Sequence, residues 1–473
     1  MNGFRVDSHA RRRYTAPVPL LAFLGVSIVL TFSHGHYGPS FVLALTGMLV
    51  SLTVIELWRP KSVLNGASPL LAWIGAVIVG TFLLGSNSQL IYAQQVPETK
   101  HLVNTIIAAL TVAALMPIAL VLEKPWRSRV LIVLAASVVL LLLVTRRHVL
   151  WASPQPFIDV WTSSVQAVRY FLDGKNPYME NYVDIYGGRY DYIPSFPYLP
   201  MWLLWSTLFA WIGKGSFDVR ASLVAADVII VGALIGLGRV YWKEWERPLL
   251  AAAVWLACPI SLFILEQSWI DTLLSAALAL SFWFLAKRWW LAAGLAVGAA
   301  CATKQYAVIA GGLLLIWVWR AGGKQAALRF FGAAAGFALA LVIPFMLSDP
   351  GRFTKFTLSS WADAKPRPDS LSLAAFIAHS LDFGTPEGMQ EHYSKIGWIG
   401  PAAVLALVAV LWRRKNPTLR SAIVFVGLAY GWMFEFARQA FCNYYHFVAF
   451  FFLVAALLPA VKDPPAPVPA VVK

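Results

Sequence analysis

The chain has 473 residues, of which 59% are hydrophobic and only 13% charged, with a formal net charge of +15. Soluble proteins carry about 25% charged residues, so this composition excludes a soluble enzyme, a disordered chain and a nucleic-acid-binding domain. The 38 Lys and Arg are spread along the chain rather than gathered in one patch. Cys258, Cys301 and Cys442 lie in or beside apolar segments, with neither metal-ligand spacing nor a disulfide framework. These features describe an all-α, polytopic membrane protein.

A helix needs roughly 20 apolar residues to cross the hydrocarbon core. About 14 such segments can be read, near 17–34, 40–57, 68–85, 103–122 and 129–145, then 220–238, 248–264, 269–286, 289–303 and 306–320, and finally 326–347, 396–412, 418–436 and 443–461. Two connections, 146–219 and 348–395, are long enough to be functional. Arg11, Arg12 and Arg13 precede the first span without a clear cleavage site, which favours an uncleaved, cytoplasmic N-terminus. The stretch 196–213 is apolar but short and interrupted by Pro197 and Pro200. If it lies flat, the later inner loops hold Arg239, Lys243, Arg247, Lys287, Arg288, Arg320, Lys324, Arg329, Arg413, Arg414, Lys415 and Arg420, and the short outer loops only Lys304 and Arg438. That bias makes 196–213 an interfacial amphipathic helix, with both long loops outside and both termini inside. The Pro-rich tail 462–473 reads as disordered.

After the fifth span, Trp161, Val165, Val168 and Leu172 form one helical stripe, and Gly174 supplies a stop. Asp159 stands at the start of this surface helix. It is either a plain N-cap or a carboxylate poised to take a proton from an acceptor hydroxyl; the two roles are compatible. Asp184 and Asp191, in the same loop, are alternatives for the base.

An Asp after an odd-numbered span, a surface helix, then Gly174, Asn176, Pro177 and Tyr178, followed by Tyr190-Asp191-Tyr192-Ile193-Pro194 and an apolar interfacial helix, resembles the GT-C glycosyltransferases. The similarity is strongest to bacterial family-87-like polyprenol-phosphate mannosyltransferases and covers about residues 129–461. It implies a catalytic core over 129–461, preceded by a four-span module, 1–128. That superfamily usually has one span before the catalytic loop, whereas this chain has about five. The resemblance implies Asp159 as catalytic residue and Asn176, Tyr178 and Asp191 in substrate binding. It also implies an acid beside the donor sugar near the turn Glu266-Gln267-Ser268-Trp269-Ile270-Asp271. The plain alternative there is a solvated turn with Ser268 as N-cap.

Lys304 and Gln305 end a span on the outer side, either as a snorkelling anchor or as a cation for a lipid phosphate. Arg438 is the analogous case, able to grip phosphate through paired hydrogen bonds. Tyr444, Tyr445 and His446 open the last span and line a cavity or form an interfacial belt. In the second long loop, Leu371, Ala374, Ala375 and Ala378 face one way, predicting another surface helix capped by Asp369 or Ser370. His34 and His36 lack a third ligand, so no metal site is expected. Gly294, Gly298, Gly332 and Gly336 read as helix-packing positions. No Walker-type motif occurs, and no cofactor is expected.

These readings converge on an inverting transfer of a hexose, mannose foremost, from a polyprenyl-phosphate donor to a lipid, glycan or protein acceptor, on the outer face of a bacterial inner membrane. The rival is a transporter or lipid flippase, which would place key polar residues near the midplane. Asp227, inside a span, is the main residue on that side, and pairing with a neighbouring helix is its plain explanation.

Overall fold

The computed structural model describes residues 17–58, 69–86, 90–93, 97–188, 195–213, 217–359, 365–381, 388, 393 and 395–459. Among the described residues the fold is all-helical, with a single isolated bridge between His36 and Ser370. The principal helices are α1 (Pro17–Ser33), α2 (Pro39–Trp58), α3 (Pro69–Ser86), α4 (Pro97–Ala114), α5 (Trp126–Ala152), α6 (Asp159–Leu172), α7 (Pro200–Ile212), α8 (Arg220–Tyr241), α9 (Glu246–Leu256), α10 (Ile260–Glu266), α11 (Asp271–Ala286), α12 (Trp290–Cys301), α13 (Val308–Met346), α14 (Leu373–Ser380), α15 (Ile399–Arg413), α16 (Leu419–Glu435) and α17 (Cys442–Leu457). Several open on proline, whose fixed φ and missing N–H suit a first turn.

Five helical stretches are long and apolar enough to cross a membrane outright: Pro39–Trp58, Pro97–Ala119, Trp126–Ala152, Arg220–Tyr241 and Gln305–Met346. α9 and α10 together make a sixth, bent by 56°. Large apolar side chains point outward along the bundle, among them Leu21, Val133, Leu140 and Leu405, each more than half exposed. Such a surface is at home in lipid and not in water.

The longest helix is two. Gly323, at φ 78° and ψ −173°, breaks α13. Gly294 and Gly298 of α12 lie against Phe330 and Ala334 in one sense, whereas Trp290 meets Gly322 and Val297 meets Gly311 in the opposite sense. The two legs of α13 therefore run in opposite directions, matching the separate segments 306–320 and 326–347. Gly294 and Gly298 are the expected packing glycines: a Cβ would sit 2.2 and 2.6 Å from backbone oxygens. Gly332 and Gly336 are not, since nothing lies within 4 Å of either Cβ position.

The connections expected outside all meet at one end of the bundle. There the Tyr37 amide bonds the Asp369 carbonyl at 2.9 Å, the Arg367 amide bonds the Arg438 carbonyl at 2.8 Å, and the Met201 amide bonds the Ala302 carbonyl at 2.9 Å. Gly35 is left-handed and so close to Cys442 that a Cβ would lie 2.3 Å from its nitrogen. At the other end Arg414 pairs with Glu56 at 2.5 Å, Trp242 bonds the Leu457 carbonyl at 2.7 Å, and Arg288 bonds the Ala321 carbonyl at 2.9 Å. Both flanks of α7 are tied to the first end, through Met201 on one side and through Arg220, which bonds the Ser153 carbonyl at 2.7 Å, on the other. Its 13 residues make about 20 Å of helix, well short of a ~30 Å hydrocarbon core. α7 lies across that end rather than through the bundle.

A buried ion pair links α5 to α8. Arg146 of α5, wholly buried, donates Nε to Asp227 Oδ2 at 2.6 Å. Its Nη2 reaches the Leu256 carbonyl and the Ser261 hydroxyl, each at 3.1 Å, and Trp255 donates to Asp227 Oδ1 at 2.8 Å. α9 stops at Leu256 and α10 resumes after Pro259, so the guanidinium serves a carbonyl at the break. The sequence reading ended this span at residue 145; α5 in fact continues through Arg146 and Arg147 to Ala152. Asp227 is a paired structural residue.

Candidate active site

Asp159 is the first residue of α6, not its cap: Ile158, extended at φ −143° and ψ 136°, holds the cap position. The Asp159 carboxylate stands half-buried at the edge of a rigid helix, and its backbone N–H lies 3.4 Å from the Tyr186 hydroxyl. Gly174, at φ +75°, ends the helix as expected. The buried stripe, however, is Val160, Ser164, Ala167 and Val168. Trp161 and Val165 are half-buried at its edge and Leu172 is exposed. The side toward the protein uses small residues, and Ser164 accepts from the Trp202 indole of α7 at 2.9 Å.

Of the alternative bases, Asp184 is engaged in its own turn, accepting from the Tyr186 and Gly188 amides at 2.9 and 2.5 Å. Asp191, with the stretch 190–194, lies outside the described residues, as do 11–13 and the tail 462–473.

Asn176 and Tyr178 form a turn that fastens the loop. The Asn176 amide donates to the Phe345 carbonyl at 3.0 Å and to Ser348 at 3.1 Å, while its oxygen accepts from the Tyr178 amide at 3.2 Å. Tyr178 is buried among Phe196, Phe345 and Phe353 and donates to the Tyr198 carbonyl at 2.8 Å. Burial raises its hydroxyl pKa well above the ordinary tyrosine range, with neighbouring Tyr182 adding to the effect. It remains a neutral donor.

The turn between α10 and α11 is buried, not solvated. Glu266, Gln267, Ser268 and Asp271 are each 3% exposed or less. Ser268 has a left-handed backbone, φ 59°, and Ile270, not Ser268, precedes the helix as its cap. Glu266 spends both oxygens on backbone: Oε2 accepts from Ile91 at 2.7 Å and Oε1 from Tyr92 at 2.9 Å. Gln267 donates to Glu266 at 3.4 Å.

Asp271 opens α11 and meets Lys304 with both oxygens at 3.0 Å. Asn443 donates to its Oδ2 at 2.8 Å, and the Tyr306 hydroxyl donates to its Oδ1. The Lys304 ammonium lies 5.3 Å from the Tyr306 ring centroid and 5.2 Å from that of Tyr444, within cation–π range. Gln305 begins the short turn Gln305–Ala307 that aims Tyr306 back at Asp271. Lys304 is thus an enclosed, paired cation rather than a snorkelling one. Tyr444 is half-buried and faces it. Tyr445 is buried, and so is His446, against Trp255 at 4.6 Å, which places both in the core rather than in an interfacial belt.

Arg438 lies 4.8 Å from the Tyr393 ring, beside the Arg367–Asp369 pair at 2.6 Å. Burial alone would raise the Asp369 carboxyl pKa, but the hydrogen bond and charge of Arg367 outweigh it and hold the group below the ordinary aspartate range. The surface helix expected in this loop is α14, with Leu371, Ala374, Ala375 and Ala378 all buried. Its cap is Ser372, accepting from Ala375 at 3.3 Å, not Asp369 or Ser370. Among the described residues no group of three or more His, Cys, Asp or Glu is placed to hold a metal. The structure also brings in residues that the sequence reading passed over: Tyr92, Arg220 and Asn443. Arg220 carried a signal, a basic residue at the outer end of a span against the charge bias.

A family model described as glycosyltransferase family 87 matches residues 196–435, a little over half of the chain. The chain belongs to glycosyltransferase family 87. This family-87 chain carries several helices long and apolar enough to cross a membrane. No curated protein matches it. Among solved structures, ArnT from Cupriavidus metallidurans, bound to undecaprenyl phosphate, is similar with a TM-score of 0.46 and 14% identity, over 69% of this chain and 59% of that one. The family-87 chain thus spans less than two thirds of that protein's length.

Proposed function

We propose that this glycosyltransferase moves a hexose, mannose foremost, from a polyprenyl-phosphate donor to a lipid, glycan or protein acceptor, with inversion at the anomeric carbon. The reaction takes place at the end of the bundle where the two long loops meet. That end faces away from the cytoplasm of a bacterial inner membrane, with about 14 spans and both termini inside. Residues 129–461 form the catalytic core and 1–128 an added four-span module.

The observation that carries the reading is the placement of Asp159. It is a half-buried carboxylate at the first turn of a rigid helix that opens the loop after α5. Asp159 takes the proton of the acceptor hydroxyl as that oxygen attacks the anomeric carbon from the face opposite the phosphate. The anomeric C–O bond breaks and the electron pair leaves on the lipid phosphate. General-base help of this kind is worth about 10²–10⁴ in rate. Lys304 and Arg438 stabilise the leaving phosphate. Lys304 does so as part of its pair with Asp271, so the phosphate shares the ammonium. Asn176 and Tyr178 hold the loop in register, and Glu266, Gln267, Gln305 and Tyr444 belong to the same substrate-binding end; Asp191 is assigned to substrate binding on the sequence resemblance alone.

The test is turnover of radiolabelled polyprenyl-phosphate mannose by purified protein with lipid and glycan extracts as acceptors. Asp159→Asn should lower turnover at least ~100-fold with the thermal melt unchanged. Wild-type turnover in Asp159→Asn would move the base to another loop aspartate, and no turnover with any polyprenyl-phosphate hexose would remove the donor assignment.

A further inference from the structure

Residues 90–93 lie between α3 and α4 in the chain and touch the loop that carries Asp159. The Glu266 carboxylate, completely buried at the end of α10, takes the Ile91 N–H at 2.7 Å and the Tyr92 N–H at 2.9 Å. So anchored, Tyr92 donates its hydroxyl to the Phe157 carbonyl at 2.7 Å, two residues before Asp159. The Phe157 ring in turn meets Tyr186 edge-on at 5.7 Å, and the Tyr186 hydroxyl faces the Asp159 amide.

This chain of contacts acts where the backbone is least constrained. α5 has ended at Ala152 and α6 has not begun, so the Phe157 carbonyl belongs to no helical ladder. Asp159 is the first helical residue, and its direction is set by the dihedrals of Ile158 and by what holds Phe157. A first-turn carboxylate has no preceding turn to stiffen it. A hydroxyl fixed from outside the loop removes that freedom, and displacements of about 1 Å at a reacting group can cost roughly a hundredfold in rate.

We infer that residues 90–93 are a positioning strut: Glu266 clamps the segment, and Tyr92 fixes the Phe157 carbonyl and with it the orientation of Asp159. The added N-terminal module thereby contributes a positioning residue, Tyr92, to the transfer reaction. The inference rests on the reading of Asp159 as general base.

The experiment uses the full chain in nanodiscs, with Tyr92→Phe, a one-atom deletion at a half-buried site. Hydrogen exchange of amides 157–160 should quicken several-fold. With radiolabelled polyprenyl-phosphate mannose, kcat should fall on the order of tenfold while the donor KM stays unchanged, a smaller loss than full misplacement. Combined with Asp159→Asn, Tyr92→Phe should cost nothing further, because its effect passes through the missing base. Unchanged exchange at 157–160 would overturn the strut whatever Asp159 does. A loss that multiplies fully with that of Asp159→Asn would overturn the positioning role. Faster exchange together with wild-type turnover in Asp159→Asn would leave the strut standing and remove the base assignment instead.

Discussion

The Arg146–Asp227 and Lys304–Asp271 pairs are both enclosed, yet different groups surround them. Arg146 spends its remaining donors on the Leu142 carbonyl of its own helix, on a main-chain carbonyl at a helix break and on a serine beside it. Those partners are part of the scaffold and have nothing to exchange with a ligand. Lys304 is surrounded by side chains: a carboxylate, and the rings of Tyr306 and Tyr444, themselves next to Asn443. Side chains can shift to admit a phosphate oxygen, whereas a carbonyl at a helix break cannot. The difference separates a pin from a site, although both look alike as charges inside spans. A buried pair is by itself weak support for stability, because desolvation offsets the attraction.

The sharpest way to break this comparison is to remove one charge from the pin. Arg146→Met leaves Asp227 buried without its cation, and the protein should lose about 3–5 kcal/mol of stability, read as a thermal melt in detergent. Replacing both partners, Arg146→Met with Asp227→Leu, should recover most of that loss and keep turnover per folded molecule near wild type. The matching double change at the site, Lys304→Met with Asp271→Leu, should also fold. Its turnover should fall ~100-fold, the cost of one lost electrostatic stabiliser. Equal turnover in the two doubles would erase the distinction.

Smaller effects test the loops that border the site. Ser372→Ala should cost about 1 kcal/mol through loss of the α14 cap, seen as faster hydrogen exchange over 373–380. The Arg367–Asp369 contact should be still weaker. Asp369 is depressed in the folded protein, so its contribution is present above the ordinary aspartate pKa of about 4 and is lost as pH falls through the lower folded value. With the Asp369 side chain 43% exposed, solvent screening keeps the effect below ~1 kcal/mol. Protection of amides 367 and 369–371, taken relative to the intrinsic exchange rate at each pH from 6 downward, should fall only in the acid limb, and Asp369→Asn should flatten that dependence.

Most of the scaffold could be read from hydropathy, because a span must be apolar for its whole length. The charge count predicted a flat helix over 196–213, and both flanks of α7 are tied to the same end of the bundle. Periodicity failed where size outweighs polarity. The protein-facing stripe of α6 is built on Ser164 and Ala167, while the bulkier Trp161 and Val165 sit at its edge. The site was legible in kind but not in wiring. Asp271 and Lys304 both stood out, yet their pairing across 33 positions left no local trace. Glu266 read as an acid near a sugar, but its two oxygens are committed to residues far upstream. Tyr92 gave no signal at all, since a lone tyrosine in a short loop matches any surface. Arg146 stood just past the point where hydropathy closed the span, well short of the end of α5 at Ala152.

The kink at Pro259 also joins distant positions into one heritable unit. A descendant with alanine there would let the Ile260 amide close on the Leu256 carbonyl, and Arg146 would lose an acceptor. A descendant without Arg146 would strand that carbonyl, and Asp227 with it, in a water-poor interior. Drift at any of the three therefore asks for an answering change at the others. The bend in the helix should be inherited together with the arginine that makes it tolerable.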